Sequence, residues 1–257
     1  MKRLITGLIL APAAVALILW APAVLLRLVV TVVAVLSFYE YQRLADRHHI
    51  PIQGPLGYAA GLLLLFLPEV TPLLLTSFVL LALSLALWSR PLANALPRSS
   101  ALVLGVLYIF GAWRCGLALY HASPLWLLFA LGVTWVGDTA AYYAGRRFGR
   151  RKMAPEISPA KTWVGAAASL IASLAFGILY LHALFPTVGW SRAVMLSAAG
   201  NLAGQIGDLA ESALKRGAGV KDSANFLPGH GGMLDRTDAA LFAMPVLLAL
   251  RSSLGVD

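Results

Sequence analysis

Residues 124–144 read PLWLLFALGVTWVGDTAAYYA, an apolar run that carries one carboxylate, Asp138. A helix needs about 20 mostly apolar residues to cross the hydrocarbon core of a bilayer, and this run has that length. Its hydrophobic residues are continuous rather than alternating, which argues against a strand of a membrane β-barrel. The run therefore predicts a membrane-spanning helix with an acid inside it.

The rest of the chain has a similar composition. Of its 257 residues, 60% are hydrophobic and 12% are charged, and the mean hydropathy is +0.79. These values exclude an ordinary soluble domain. The fold class predicted is all-α: a polytopic membrane bundle of about nine transmembrane helices, in a single integral membrane domain covering the whole chain. The predicted spans are residues 4–20, 23–39, 56–67, 72–88, 101–120, 124–144, 164–184, 193–210 and 235–251.

The positive charges indicate how these helices are oriented. The formal net charge is +9. If the N-terminus is cytoplasmic and the chain crosses nine times, sixteen of the 20 Lys and Arg residues fall at cytoplasmic helix ends or loops, which is the positive-inside bias. Topology therefore accounts for the basic balance, and we expect no nucleic-acid partner.

Polar chemistry is concentrated in the second half of the chain. Residues 1–120 are predicted to be mainly scaffold helices, and residues 130–257 to be catalytic helices and cytoplasmic loops. Asp138 and Tyr142 lie four residues apart, on one face of their predicted helix. An acid inside a span costs about 2.5–3.5 kcal/mol unless it is paired or hydrated. We therefore predict that both residues support a polar cavity; a hydrogen bond between packed helices is the alternative.

The motif S-P-A-K-T at residues 158–162 is expected to open the next helix, because a serine cap and a first-turn proline are typical of helix starts. Free backbone N–H groups at such a start suit a phosphate. Lys161 and Thr162 would add a cation and a hydroxyl, so the motif is a candidate substrate site. The alternative is a lysine that simply extends to the membrane surface, as is common at helix ends.

Acids also gather near the starts and ends of the last two predicted helices. One helix face carries, at positions i, i+3, i+4 and i+7, the residues Asp208, Glu211, Ser212 and Lys215. Asp235 and Asp238 share a face of the last helix by the same spacing. Facing carboxylates repel one another unless a hard cation lies between them, and oxygen ligands suit Mg²⁺. A salt-bridged polar cap over the bundle is the alternative interpretation.

The stretch from Ser212 to Asp238 fits a known signature, S-x-[apolar]-K-R-x4-K-D-x-[small]-x2-[apolar]-P-x-H-G-G-[apolar]-x-D-R-x-D. In these residues the chain closely resembles the phosphatidate cytidylyltransferases, or CDP-diacylglycerol synthases. The run D-x-x-A-Y-x-x-G-x-x-F-G from Asp138 and the S-P-x-K-T motif also look like this family, so the resemblance covers about residues 137–238. One departure is Val164, where many members carry an acidic or amide residue.

The resemblance implies that CTP and phosphatidate give CDP-diacylglycerol and pyrophosphate, in phospholipid biosynthesis at the cytoplasmic (inner) membrane, with the active site facing the cytoplasm. The implied cofactor is Mg²⁺, with predicted ligands Asp208, Asp235, Asp238 and Glu211. The predicted catalytic residues are Asp208, Lys215, Asp235 and Asp238. The predicted substrate-binding residues are Lys161, Thr162, Ser212, Arg216, Lys221, Asp222, His230, Gly231, Gly232 and Arg236. CTP and membrane-embedded phosphatidate are the expected partners, and a homodimer is left open.

Three other functions are alternatives to this one. A CTP-dependent polyprenol or phytol kinase would transfer the γ-phosphate and release CDP rather than pyrophosphate. A proton-coupled transporter would need acids near the midplane of several spans, whereas most acids here cluster at one membrane face. A catalytically inactive relative is disfavoured by the intact signature, with Val164 as the one departure that keeps it open.

Overall fold

The computed structural model describes residues 2–224 and 231–256, with side chains from residue 11 onward. Helices dominate the described chain. They are α1 (Lys2–Trp20), α2 (Ala23–Arg47), α3 (Gly54–Phe66), α4 (Pro72–Leu85), α5 (Ala95–Gly105), α6 (Ala112–Ala122), α7 (Pro124–Phe148), α8 (Trp163–Leu184), α9 (Trp190–Gly217) and α10 (Leu234–Ser253). Short 3₁₀ turns occupy Ala86–Trp88 and Leu92–Asn94, and a π-helical segment, Val106–Gly111, joins α5 to α6.

Four helical stretches in the described residues are long and apolar enough to cross a membrane. They are α2, the continuous stretch Leu92–Ala122, α7 and α8. Each coincides with a predicted span, so the chain is an all-α, multi-pass membrane protein. The shorter or more polar helices overlap the other predicted spans, but the count of about nine stays a prediction.

A small β-hairpin precedes α8. Strand β1 (Lys152–Ala154) pairs antiparallel with β2 (Ser158–Thr162). The prediction that residues 158–159 open a helix is therefore wrong. Pro159 is compatible with β2 because a strand at the edge of a sheet tolerates a residue without an N–H donor. The helix begins five residues later at Trp163, where the Thr162 hydroxyl caps it by accepting a hydrogen bond from the Gly165 N–H at 3.1 Å.

The chain divides into two compact units. Unit 1 comprises Met1–Pro22, Cys115–Ala213 and Thr237–Asp257, and unit 2 comprises Ala23–Arg114 and Leu214–Arg236. The prediction of a single integral membrane domain stays a prediction.

Unit 1 is built around the close packing of α7 against α8. Aromatic rings fill one end, where Trp126 stacks on Phe185 with ring centroids 4.5 Å apart. A buried polar network lies further along: the amide of Asn201 donates to the hydroxyls of Ser169 and Ser173, each at 2.9 Å. Hydrogen bonds between polar side chains stabilise helix pairs where water is absent, so this network fixes α9 against α8.

Unit 2 has an aromatic core around α2. Phe38 contacts the ring of Phe110 at a centroid distance of 5.5 Å, and the Tyr41 hydroxyl donates to the carbonyl of Ala101 at 2.9 Å. Arg114 donates to the carbonyls of Leu64 (3.0 Å), Leu67 (2.5 Å) and Pro68 (3.0 Å), at the end of α3. Those carbonyls lack intrahelical partners, which gives this arginine a structural role.

Candidate active site

In unit 1, an ion pair joins the hairpin to α9. The Lys161 ammonium lies 2.8 Å from Oδ2 of Asp208, and the Ser212 hydroxyl, one turn further along α9, donates to Oδ1 of Asp208 at 3.4 Å. The structure thus brings together three residues that the sequence places in the site. Lys161 belongs to strand β2 and not to the start of a helix, as the S-P-A-K-T motif had predicted.

Three more carboxylates of unit 1 act on one another electrostatically. Asp238 is repelled by the negative charges of Asp208, Glu211 and Asp138. Glu211 is fully buried and Asp238 is 9% exposed, while Asp138 is exposed on α7. One oxygen of Asp238 accepts a hydrogen bond from the Ala239 N–H at 2.7 Å. Such a concentration of negative charge is a suitable environment for a cation.

The side chains of this carboxylate cluster offer the type of ligand atom that Mg²⁺ prefers. All of its atoms are hard oxygen donors, and Mg²⁺ usually takes one or two carboxylates and completes its octahedron with water and substrate phosphates. Within the described residues, no three Asp, Glu, His or Cys side chains form a ready-made metal cage. The carboxylates thus have the donor type for a metal that also binds a phosphate.

Unit 2 holds a second cluster, centred on Asp235. Its Oδ1 is ion-paired with Lys215, whose side chain is only 11% exposed. Its Oδ2 accepts hydrogen bonds from the N–H of Gly232 (2.7 Å) and the N–H of Ser223 (3.1 Å), and lies 2.9 Å from the Ser223 hydroxyl. Two predicted catalytic residues are thus in direct contact, and the carboxylate is well oriented.

Sequence reasoning missed one member of this second cluster, Glu40. Its carboxylate is fully buried in unit 2. It accepts hydrogen bonds from the Ser223 hydroxyl (2.7 Å), the Met233 N–H (2.7 Å) and the Leu234 N–H (2.8 Å). The sequence carries no local signal for it, because Glu40 follows the predicted span of residues 23–39 and its partners are far away along the chain.

The remaining predicted residues have less specific settings in the described part of the chain. Tyr142 is exposed, and its hydroxyl accepts a hydrogen bond from Arg146 at 3.0 Å. Thr162 is buried as the cap of α8. Gly231 has φ of 71°, a conformation that favours glycine. Arg216 donates to the carbonyl of Val220 at 3.0 Å. The exposed residues are Lys221, Asp222 and Arg236, and His230 lies outside the described residues.

Comparisons with known proteins identify the family of the chain. A model of the cytidylyltransferase family matches residues 1–254. The phosphatidate cytidylyltransferase of Pseudomonas aeruginosa is 35% identical over an alignment of 269 positions, which covers 97% of this chain and 96% of that protein. The phosphatidate cytidylyltransferase of Haemophilus influenzae is 38% identical over 167 residues, covering 62% of this chain and 57% of that protein.

A shorter match has higher identity. The phosphatidate cytidylyltransferase of Bacillus subtilis is 42% identical over 125 residues, which cover 49% of this chain and 46% of that protein. The alignments with the Haemophilus and Bacillus proteins thus span about half the length of those relatives, whereas the Pseudomonas alignment is nearly complete. Because the family model matches residues 1–254, the chain belongs to the cytidylyltransferase family.

Proposed function

We propose that this chain transfers the cytidylyl group of CTP to phosphatidate, giving CDP-diacylglycerol and pyrophosphate. It is a CTP-dependent nucleotidyltransferase of phospholipid biosynthesis. The observation that carries the proposal is the alignment with the Pseudomonas phosphatidate cytidylyltransferase, which runs along 97% of the chain. The two clusters support it, because each pairs a lysine with a carboxylate within residues 137–238, the part of the chain that resembles the family.

The reaction needs little covalent work from the protein. An oxygen of the phosphatidate phosphate, already anionic near neutral pH, attacks the α-phosphorus of CTP. The new phosphorus–oxygen bond forms as the bond from the α-phosphorus to the bridging oxygen breaks, and pyrophosphate leaves with that oxygen. No proton has to be removed from the nucleophile, so no general base is needed. Positioning and charge neutralisation carry most of the barrier in such a transfer.

The lysines supply the positive charge. Lys161 is 22% exposed at its side chain, so it can exchange Asp208 for a substrate phosphate without leaving a deeply buried site. Lys215 is more enclosed, and its partner Asp235 holds it in one orientation. The other residues proposed to bind CTP or the lipid headgroup are Thr162, Ser212, Arg216, Lys221, Asp222, His230, Gly231, Gly232 and Arg236, and Asp138 and Tyr142 are proposed to support the site.

Mg²⁺ is the proposed cofactor, and it would neutralise the charge that develops on the phosphates during transfer. The unit 1 carboxylates Asp208, Asp238 and Glu211 are its proposed ligands, on the strength of their oxygen donors and their mutual repulsion. Asp235 is retained as a fourth ligand because of the resemblance alone.

The setting of the enzyme follows from the same reasoning. We place the N-terminus and the active site on the cytoplasmic side of the inner membrane, because the Lys and Arg residues favour that orientation and CTP is a cytoplasmic nucleotide. We propose about nine spans for this topology. A homodimer is compatible with the apolar helices of the first half of the chain.

The position of a radioactive label in CTP tests the proposal. With purified protein, Mg²⁺ and phosphatidate, label from the α-phosphate should appear in lipid, and label from the γ-phosphate should appear in pyrophosphate. A lipid kinase would give the opposite pattern, with γ-label in the lipid and the α-label in CDP. That pattern would replace the proposed reaction with the kinase alternative.

A further inference from the structure

The Glu40 carboxylate of α2 belongs to the unit 2 cluster around Asp235. Its Oε1 accepts a hydrogen bond from the Met233 N–H, and its Oε2 accepts from the Leu234 N–H and the Ser223 hydroxyl. A buried carboxylate in an apolar helix is costly unless its oxygens are satisfied. The three donors meet that requirement, so hydrogen bonds compensate for the burial of Glu40.

These donors come from two separate places in the chain. Ser223 follows the end of α9, whereas Met233 directly precedes α10 and Leu234 is its first residue. The first N–H groups of a helix lack intrahelical acceptors and favour a negative charge. The Glu40 side chain of α2 therefore binds both the start of α10 and Ser223, which lies in the segment after α9.

The same contacts determine where Asp235 points. The Ser223 hydroxyl lies between Glu40 Oε2 and Asp235 Oδ2, at 2.7 and 2.9 Å. The Gly232 N–H donates to that same Asp235 oxygen. A Cβ at Gly232 would overlap both Glu40 and Ser223, so the backbone at Gly232 packs closely against both side chains. A displacement at Glu40 is thus transmitted to Asp235.

We propose that Glu40 is a positioning residue for cytidylyl transfer. It holds Ser223 and the first turn of α10, and through them it orients Asp235 and the lysine paired with it, Lys215. The inference rests on the proposed function, because it is that reaction which Asp235 and Lys215 serve. Glu40 is proposed to act through these residues rather than on the substrates.

The substitution Glu40→Gln tests this role with almost no change in volume. An amide has a single acceptor oxygen, so in either orientation its NH₂ group faces a backbone N–H donor or the serine hydroxyl. We expect kcat per folded enzyme to fall about 100-fold, because small misplacements of catalytic groups slow a reaction by about that factor. The matched control is Glu69→Gln, which removes an exposed carboxylate from the same unit and should leave kcat unchanged.

Hydrogen–deuterium exchange supplies a readout that needs neither Mg²⁺ nor turnover. Without Mg²⁺ and CTP, the Gly232, Met233 and Leu234 amides should exchange about tenfold faster in Glu40→Gln than in the unmodified protein. Glu69→Gln should show no difference. A double-mutant cycle with Ser223→Ala completes the test: the combined loss of kcat should be smaller than the product of the single losses, because both changes break one connected path.

Each possible result either supports or overturns the positioning role of Glu40. An unchanged kcat in Glu40→Gln, or a loss of activity explained entirely by a smaller folded fraction, would overturn the positioning role. If Glu40→Gln does not fold, Ser223→Ala replaces it, and an unchanged kcat and exchange rate in that variant would overturn the role instead. If the unmodified protein makes no CDP-diacylglycerol, the proposed function fails, while the exchange experiment still decides whether Glu40 orders the start of α10.

Discussion

The Nζ atom of Lys161 lies 2.8 Å from Oδ2 of Asp208, so a lysine from β2 neutralises an acid of α9 in unit 1. The side chains are 22% and 33% exposed. Partly exposed ion pairs contribute little to stability, about 0–1 kcal/mol. The pair is therefore better explained by function than by folding: the lysine is held near the acid and remains available to a phosphate.

Replacing Lys161 should separate activity from stability. In Lys161→Met we expect turnover to fall about 100-fold, the usual consequence of removing one charge that stabilises a phosphoryl-type transition state. The midpoint of thermal unfolding should change little. Lys152→Met, an exposed lysine of β1 in the same hairpin, is the matched control and should retain full turnover. Equal losses in the two variants would show that only the general basicity of the hairpin matters.

The next prediction concerns Gly137, the neighbour of Asp138. A Cβ there would lie 2.5 Å from the amide nitrogen of Asn201 and 2.7–2.8 Å from the hydroxyls of Ser169 and Ser173. Gly137→Ala should therefore force these groups apart and lower the free energy of unfolding by about 1–3 kcal/mol.

Denaturation in mixed micelles measures that loss. Gly189→Ala is the control, because a Cβ at Gly189 meets no atom within 4 Å. Stability of Gly137→Ala equal to that of Gly189→Ala would contradict the close packing of α7 against the polar network.

Asn201 should contribute to stability through its hydrogen bonds. It donates to two serines, and its oxygen accepts from Gln205 at 2.7 Å. Hydrogen bonds within membrane proteins contribute about 0.6 kcal/mol each on average and up to about 1.7, so Asn201→Leu should lose about 1–3 kcal/mol. The same micelle denaturation assay applies. Asn94→Leu, at a position whose side chain makes no capping bond, should lose less than half as much.

Much of the helical fold was predictable from apolar runs alone. The spans at residues 124–144 and 164–184 correspond to α7 and α8 within a few residues, because a bilayer fixes the length of an apolar helix. The strand β2 was not predictable in this way. Its S-P-A-K-T sequence also fits a helix start, and its partner β1 lies outside the motif.

The candidate site was predictable to the extent that its residues are close in sequence. Asp208, Ser212 and Lys215 share a face of α9 by their spacing, and the structure places the first two in hydrogen-bonding contact. Glu40 was missed because its partner Ser223 is 183 residues away. No local pattern links positions at that separation; only the fold brings them together.

The largely enclosed pair of Lys215 and Asp235 leads to a prediction about non-additivity. Removing one member of an enclosed ion pair costs up to about 3–5 kcal/mol, because the remaining charge loses the opposite charge beside it. Lys215→Met and Asp235→Asn should each destabilise the protein by at most that amount. The double variant should be less destabilised than the sum, because both members of the pair are then neutral. Strictly additive losses would show that the two side chains do not depend on each other.

The central claim is cytidylyl transfer to phosphatidate, and product stoichiometry tests it most directly. Purified protein in detergent micelles, given CTP, Mg²⁺ and phosphatidate, should form pyrophosphate and CDP-diacylglycerol in equal amounts, and neither product should form without the lipid. Asp208→Asn, folded to the same extent, should form neither at a comparable rate. A folded, unmodified sample that releases no lipid-dependent pyrophosphate, or that releases CDP instead, would contradict the account.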